Sequence, residues 1–319
     1  MFRTPIKIEA PNYSISHEDN IFLIGSCFAE NIYRRLNQLQ FKTIQNPFGI
    51  LYNPFSIYKM VDRIINEKSY QFNDLFFHND LWHSYDHHGK FSDPNQHIVL
   101  QNINQSILMA NKFLKKTTVL GITLGTANVY ELNTNHTIVA NCHKVPNHHF
   151  SKKLCSVEDV IESLTKIITQ TQAFCHVKSN LKIILTVSPI RHIKDGFIEN
   201  QRSKSTLLLA IAQIEKQFSN VFYFPAYEIL MDDLRDYRFY EKDMIHPNDI
   251  AIDYIWNNFT KSFFDKNTID LNTKIQKIIH AKQHRLLHPN TLESVKFKER
   301  LTEQIKALES DYPFLNFIY

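Results

Sequence analysis

The sequence predicts an α/β fold: a three-layer α/β/α sandwich with a mainly parallel five-stranded sheet, followed by a helical C-terminal extension. Two observations carry this reading. Short β-branched and aromatic runs alternate with longer segments of helical period, the pattern of a parallel sheet covered by helices on both faces. The chain is also long enough, at 319 residues with 43% hydrophobic and 21% charged, to bury a large core, and its composition excludes wholesale disorder. A third observation narrows the α/β class. With only six glycines, neither a P-loop nor a G-x-G-x-x-G nucleotide turn is present.

Taken in order, the first strand is Ile21 to Ile24, and Phe28, Ile32 and Leu36 mark the apolar stripe of the helix after it. Lys42 to Ile44 is a second strand and Pro54 to Ile65 a second helix. Residues 70–101 are aromatic, rich in histidine and weakly periodic, which reads as an insertion laid over one sheet edge. The α/β rhythm resumes with a helix Ile107 to Leu114 and a strand Leu120 to Leu124. It continues through a helix Val157 to Ile168, a strand Lys182 to Val187, a helix Ser205 to Phe218, a strand Val221 to Phe224 and a helix Asp249 to Phe264. Beyond it, Ile275, Ile278 and Ile279, then Leu301, Ile305 and Leu308, mark two further helices separated at Leu287-His288-Pro289-Asn290. The expected organisation is a domain over residues 1–264 and an extension over 265–319. The extension reads as a helical hairpin packed on the domain, with homo-oligomerisation through these helices as the alternative.

Lys plus Arg is 36 against 32 Asp plus Glu, a net charge of +4 with the 16 histidines neutral, and the basic residues are scattered. That pattern argues against nucleic acid as a partner. The four cysteines show no C-x-x-C spacing and are read as reduced thiols. The first residues lack the apolar core of a signal peptide, and no run of ~18 apolar residues exists to span a membrane. The expectation is a cytoplasmic protein without a membrane partner.

Two segments bear chemistry. In the first, the apolar strand ends in Gly25-Ser26-Cys27-Phe28-Ala29-Glu30, so Ser26 stands at the carboxyl edge of the sheet, where open α/β folds bind ligands. Its N–H would lie at a helix N-terminus, a place that stabilises an oxyanion; serine is equally a favoured N-cap. In the second, Asp243-Met244-Ile245-His246-Pro247-Asn248-Asp249 precedes a helix whose first position Pro247 would fix. Asp243 can reach Nδ1–H of His246 and leave Nε2 free to take a serine proton. As a bare pair, an Asp and a His are also common in solvated loops.

Together these segments resemble the SGNH (GDSL-like) hydrolase superfamily, in which Ser, Asp and His follow in that chain order. The resemblance sharpens to the GSCFA family, whose name is spelled by residues 25–29. Further matching blocks are Asn46-Pro47-Phe48-Gly49-Ile50-Leu51-Tyr52-Asn53-Pro54, Leu81-Trp82-His83-Ser84-Tyr85-Asp86-His87-His88, Asn141-Cys142-His143-Lys144-Val145-Pro146, Thr186-Val187-Ser188-Pro189-Ile190-Arg191-His192 and Arg235-Asp236-Tyr237-Arg238-Phe239-Tyr240. The resemblance implies a flavodoxin-like fold and a serine hydrolase or acyltransferase with Ser26 as nucleophile, His246 as general base and then acid, and Asp243 as the residue orienting it. It implies no metal and no organic cofactor. The oxyanion hole would comprise the N–H groups of Ser26 and Gly49 and a third donor. The superfamily's G-x-N asparagine is replaced here by Ala127, which leaves Asn128, one residue late, or Thr126 to serve.

Asn53, His83, His87, His143, Arg191 and His192 are candidate substrate-binding residues; Arg191 and His192, at another strand's carboxyl end, could contact a polar or anionic substrate, with structural pairing of Arg191 to Asp195 or Glu199 as the equal alternative. The many histidines raise a metal-dependent alternative, although no H-E-x-x-H is present. Cys27 raises another, since a thiol at a helix N-terminus would have a lowered pKa and could attack in place of the serine. The expected function is cleavage or transfer of a small O-acyl group of a polar small-molecule substrate through an acyl-Ser26 intermediate. A non-catalytic ligand-binding or scaffolding protein on the same fold is the competing class.

Overall fold

The computed structural model describes residues 4–177, 180–284, 288 and 290–317. Five strands form the central sheet: β1 (Asn20–Gly25), β2 (Lys42–Gln45), β5 (Val119–Leu124), β9 (Lys182–Val187) and β10 (Val221–Tyr223). They lie in the order β10-β9-β5-β1-β2, with every pairing parallel. β1 and β5 are buried almost throughout, as strands covered on both faces must be. All five strands coincide with the strand segments read from the sequence.

Alternating residues of these strands face two separate apolar layers. On one side, Phe22, Ile24, Leu120, Ile122, Ile183 and Leu185 pack against α2 (Pro54–Ile65), α3 (Gln96–Leu114), α4 (Val157–Phe174) and α5 (Phe197–Gln217). On the other, Ile21, Leu23, Val119 and Ile184 meet α1 (Cys27–Gln38), α7 (Asp249–Phe263), α8 (Lys266–Gln283) and α9 (Leu292–Asp311). The short α6 (Ala226–Glu228) continues into a π turn over Ile229–Leu234 on that second side. This is the three-layer sandwich. Polar side chains start the helices by accepting N–H groups of the first turn: Ser26 for α1, Asn53 for α2 ahead of Pro54, and a Ser156/Asp159 capping box for α4.

Four details differ from the sequence expectations. α3 begins at Gln96 rather than Ile107, because Val99, Ile103 and Ile107 form one buried stripe. The segment 70–101 therefore ends inside a helix, after a hairpin of β3 (Phe76–His78) and β4 (Leu81–His83). A second, antiparallel sheet of β6 (Asn128–Leu132), β7 (Ile138–Val139) and β8 (Phe150–Leu154) lies between β5 and α4. Finally, α7 starts at Asp249 with Asn248 as its cap, so Pro247 is not the first helical residue; it bridges to Tyr240 instead.

The C-terminal helices belong to the core. Leu271, Ile275 and Ile278 of α8 and Ile305 and Leu308 of α9 join the same buried cluster as Leu36, Phe259 and Phe263. Leu287 and Pro289 of the expected break lie outside the described residues, and α8 and α9 end and begin on either side of it. Among the described residues no helix is long and apolar enough to cross a membrane.

Candidate functional site

The carboxyl edge of the sheet is built around the turn from β1 to α1. Gly25 has φ +125°, and a Cβ there would stand 2.0 Å from Thr123 O, so only glycine fits. Asn46 Oδ1 accepts Gly25 N–H at 2.8 Å and Leu51 N–H reaches Gly25 O at 3.0 Å, which locks the turn from the β2 side. Ser26 then caps α1, its Oγ accepting Phe28 N–H at 3.3 Å. Ser26 is 1% exposed.

Among the described residues, the His246 imidazole has Asp243 as its hydrogen-bond partner. Asp243 Oδ2 lies 2.7 Å from Nδ1, and Oδ1 accepts the backbone N–H of Ile245 at 2.8 Å and of His246 at 3.0 Å. These hydrogen bonds, the imidazole's first, hold the Asp243 carboxyl down at about 2. A carboxylate on Nδ1 fixes the tautomer with a bare Nε2, and that nitrogen has no partner among the described residues. The loop is tied to the end of β9: the Arg191 guanidinium donates to Met244 O, and Arg191 N–H to Ile245 O at 3.4 Å.

His192 stands between the two halves. Its ring meets Tyr52 edge-on at 5.6 Å, and Tyr52 O accepts the N–H groups of Gly125 at 2.7 Å and Thr126 at 3.1 Å. Burial above all, then the charge of Lys204, brings the His192 imidazole down to about 4, and His246 is close enough to add to that effect. The β1–α1 turn, Tyr52, His192 and His246 thus share one end of the sheet. Asn53, next to Tyr52, is buried; its Oδ1 caps α2 at Ser56 N–H, 2.8 Å away, and its Nδ2 donates to no described residue.

The expected oxyanion donors are engaged elsewhere. Ser26 N–H donates to Thr123 O at 3.0 Å, and Gly49 N–H to Asn46 O at 2.8 Å. Gly49 is glycine because φ is +79° and a Cβ would lie 2.3 Å from His88 Cβ. Thr126 Oγ1 pairs with Ser203 Oγ at 2.9 Å, and Asn128 Nδ2 reaches Asp195 Oδ2 at 3.2 Å, beside the Lys152–Asp195 ion pair. Both serve to fasten β6 and the end of β5 to the segment leading into α5.

Three of the candidate substrate-binding histidines are packed inside the insertion. His87 is fully buried, stacked on Phe48 at 4.1 Å with Nδ1 on Ser84 Oγ; His143 Nε2 bonds Ser84 O at 2.9 Å; His83 bridges Ser92 Oγ and His78 O. His83 holds residues 70–101 to one another, His87 packs them on Phe48, and His143 ties the loop after β7 to Ser84. Among the described residues, no three His, Cys, Asp or Glu side chains stand together as metal ligands would. Cys27 does not fit the thiol alternative: burial, with Glu30 nearby, pushes its thiol up to about 11, outweighing the helix N-terminus and Lys204. A thiol so held is protonated at neutral pH.

Sequence reasoning missed Lys204. It is fully buried, with Nζ on Gly125 O at 2.6 Å and Ser188 O at 2.9 Å, clamping the carboxyl ends of β5 and β9 beside Cys27. Its position on the i, i+3, i+4 face of Asn200, Ser203, Leu207 and Ile211 was the available signal. A lysine on a buried face needs acceptors, and two strand-end carbonyls supply them.

No curated protein matches this chain. A family model does: GSCFA, over residues 20–259, a span that begins at β1, ends inside α7 and contains Ser26, Arg191, Lys204, Asp243 and His246. A match over most of the chain, covering the whole parallel sheet together with Ser26, Asp243 and His246, means that the chain belongs to the GSCFA family.

Proposed function

We propose that this protein is a serine-dependent ester hydrolase or O-acyltransferase that acts on a small O-acyl group of a polar substrate. The observation that carries the proposal is the Asp243–His246 pair, with Nδ1 bonded to the carboxylate at 2.7 Å and Nε2 bare. In this reading Nε2 takes the Ser26 proton as Oγ attacks the acyl carbonyl. As the tetrahedral intermediate collapses, the His246 imidazolium gives that proton to the leaving alcohol oxygen, and an acyl-Ser26 ester remains; water or a second hydroxyl, deprotonated by the same nitrogen, then attacks the ester, and the proton returns to Ser26 Oγ as the acyl group departs. With Ser26 N–H engaged at Thr123 O, the oxyanion falls to the N-terminal end of α1 and to Asn53 Nδ2. The chain order Ser, Asp, His on a five-stranded parallel sheet supports placing the family within the SGNH hydrolases. Four free cysteines support a reducing, cytoplasmic setting.

A second reading, a ligand-binding protein that keeps the fold without chemistry, is favoured by the burial of Ser26 and by the engaged N–H groups of Ser26 and Gly49. Labelling with a fluorophosphonate probe separates the two. The esterase reading expects covalent labelling of the wild type, none in Ser26→Ala and slow labelling in His246→Ala. A wild type that resists the probe, at concentrations that saturate a control serine esterase, gives the protein to the second reading.

A further inference from the structure

Arg191 is a cation without a counterion. It is 8% exposed, yet among the described residues no carboxylate lies within ion-pair distance. Among the described residues its side chain has one hydrogen bond, to Met244 O, and Nε is buried without a partner. Buried charges are ordinarily paired, and an orphaned buried donor calls for a partner that the chain does not supply. Three aromatic rings surround the guanidinium instead: Tyr240 at 4.2 Å, Tyr237 at 5.2 Å and Phe197 at 5.8 Å.

The same residue lines a groove of about 400 Å³, a volume suited to a small molecule, together with Tyr227, Arg235, Tyr237 and Tyr240. Two carboxylates also border it. Asp236 is taken by Arg238 at 3.0 Å, and Asp232 is exposed to solvent and lies outside ion-pair distance of Arg191. Arg235 is exposed and forms no ion pair among the described residues, so two guanidinium groups without a carboxylate partner line the groove. The groove adjoins the site through Arg191, which bonds the loop of Asp243 and His246, and through Tyr240, which bridges Pro247.

We propose that this groove is an anion-binding subsite in which Arg191, assisted by Arg235, takes a carboxylate or phosphate group of the substrate, so that the ester presented to Ser26 belongs to an acidic small molecule. Planar guanidinium groups bind such anions through paired N–H donors, and the tyrosine rings hold the Arg191 plane in place. The inference rests on the esterase reading for the word substrate, but the binding itself does not depend on Ser26.

The test is calorimetric titration of the full chain at low ionic strength with succinate and, separately, inorganic phosphate, with neutral succinamide as control. Binding of either anion supports the proposal and tells carboxylate from phosphate. Arg191→Gln should weaken that binding about tenfold or more, since it removes charge-assisted hydrogen bonds. Arg235→Gln, an exposed change that leaves the fold intact, should weaken it about threefold, and Ser26→Ala should leave it unchanged. Wild type binding neither anion more tightly than succinamide overturns the proposal. So does undiminished binding in Arg191→Gln or, if that variant does not fold, in Arg235→Gln. Anion binding without fluorophosphonate labelling would remove the serine chemistry alone, and labelling without anion binding would remove this subsite alone.

Discussion

Lys204 gives the sharpest quantitative prediction, because a buried amine ties stability to pH. Burial lowers its pKa from the ordinary 10.5 to about 7. Between those values the unfolded chain holds a proton that the folded protein gives up, so stability rises with pH across this window. Below about pH 7 the charged amine costs the fold, at ~1.36 kcal/mol per pH unit, about 5 kcal/mol relative to pH 10.5. Lys204→Met removes that dependence but leaves Gly125 O and Ser188 O without their donor, at about 1–3 kcal/mol each. The two effects roughly cancel near neutral pH, which makes the slope, not the absolute stability, the diagnostic quantity. Urea denaturation of both proteins at pH 7, 8.5 and 10 measures it. The wild type should gain on the variant by about 1.4 kcal/mol per pH unit through the middle of the window. Parallel curves would mean that Lys204 keeps its ordinary pKa, and the account of its burial would be wrong.

The acid side has the same sign. Burial lowers the imidazoles of His143 and His192 to about 4 and that of His87 well below its ordinary value, so their contribution to stability is full above pH 6.5 and is lost as pH drops towards 4. His143→Gln should flatten that loss by about 2–3 kcal/mol in urea melts at pH 4.5 against pH 7, and an unchanged profile would show that His143 charges without penalty. Gly25→Ala forces a Cβ to within 2.0 Å of Thr123 O at φ +125° and should cost about 2–4 kcal/mol by thermal denaturation; wild-type stability would mean that the turn is looser than described. Asp243→Asn keeps the loop but frees the wrong tautomer, so fluorophosphonate labelling should slow by about 10²–10⁴-fold, whereas an undiminished rate would take Asp243 out of the relay.

The central strands were legible because strands buried on both faces read as near-continuous apolar, β-branched runs, as Ile183 to Val187 and Ile21 to Ile24 do. The second sheet was not, since β8 buries only Phe150 and exposes Ser151, Lys152, Lys153 and Leu154, so its alternation is lost. The first half of α3 was hidden by the polar run Gln96, His97, Gln101, Asn102 and Asn104 around one narrow buried stripe. Ser26, Asp243 and His246 announce themselves by residue type at short spacing. The engaged donors of the oxyanion turn do not, because whether Asn128 faces Ser26 or Asp195 depends on a fold-level placement of β6 that no local pattern encodes.

The two helical layers also close at different times as the chain is made. Everything that covers α2 to α5 has left the ribosome once β10 is out, whereas the side holding α1 needs Ile305, Leu308, Leu315 and Phe317, with Phe314 stacked on His17 and Asn316 bonded to Gln40. Until those last residues emerge, a wide greasy surface beside the prospective nucleophile stays uncapped, open to self-association and to chaperones. Translation stalled near residue 264 would leave a half-finished particle with its sheet assembled and one flank bare.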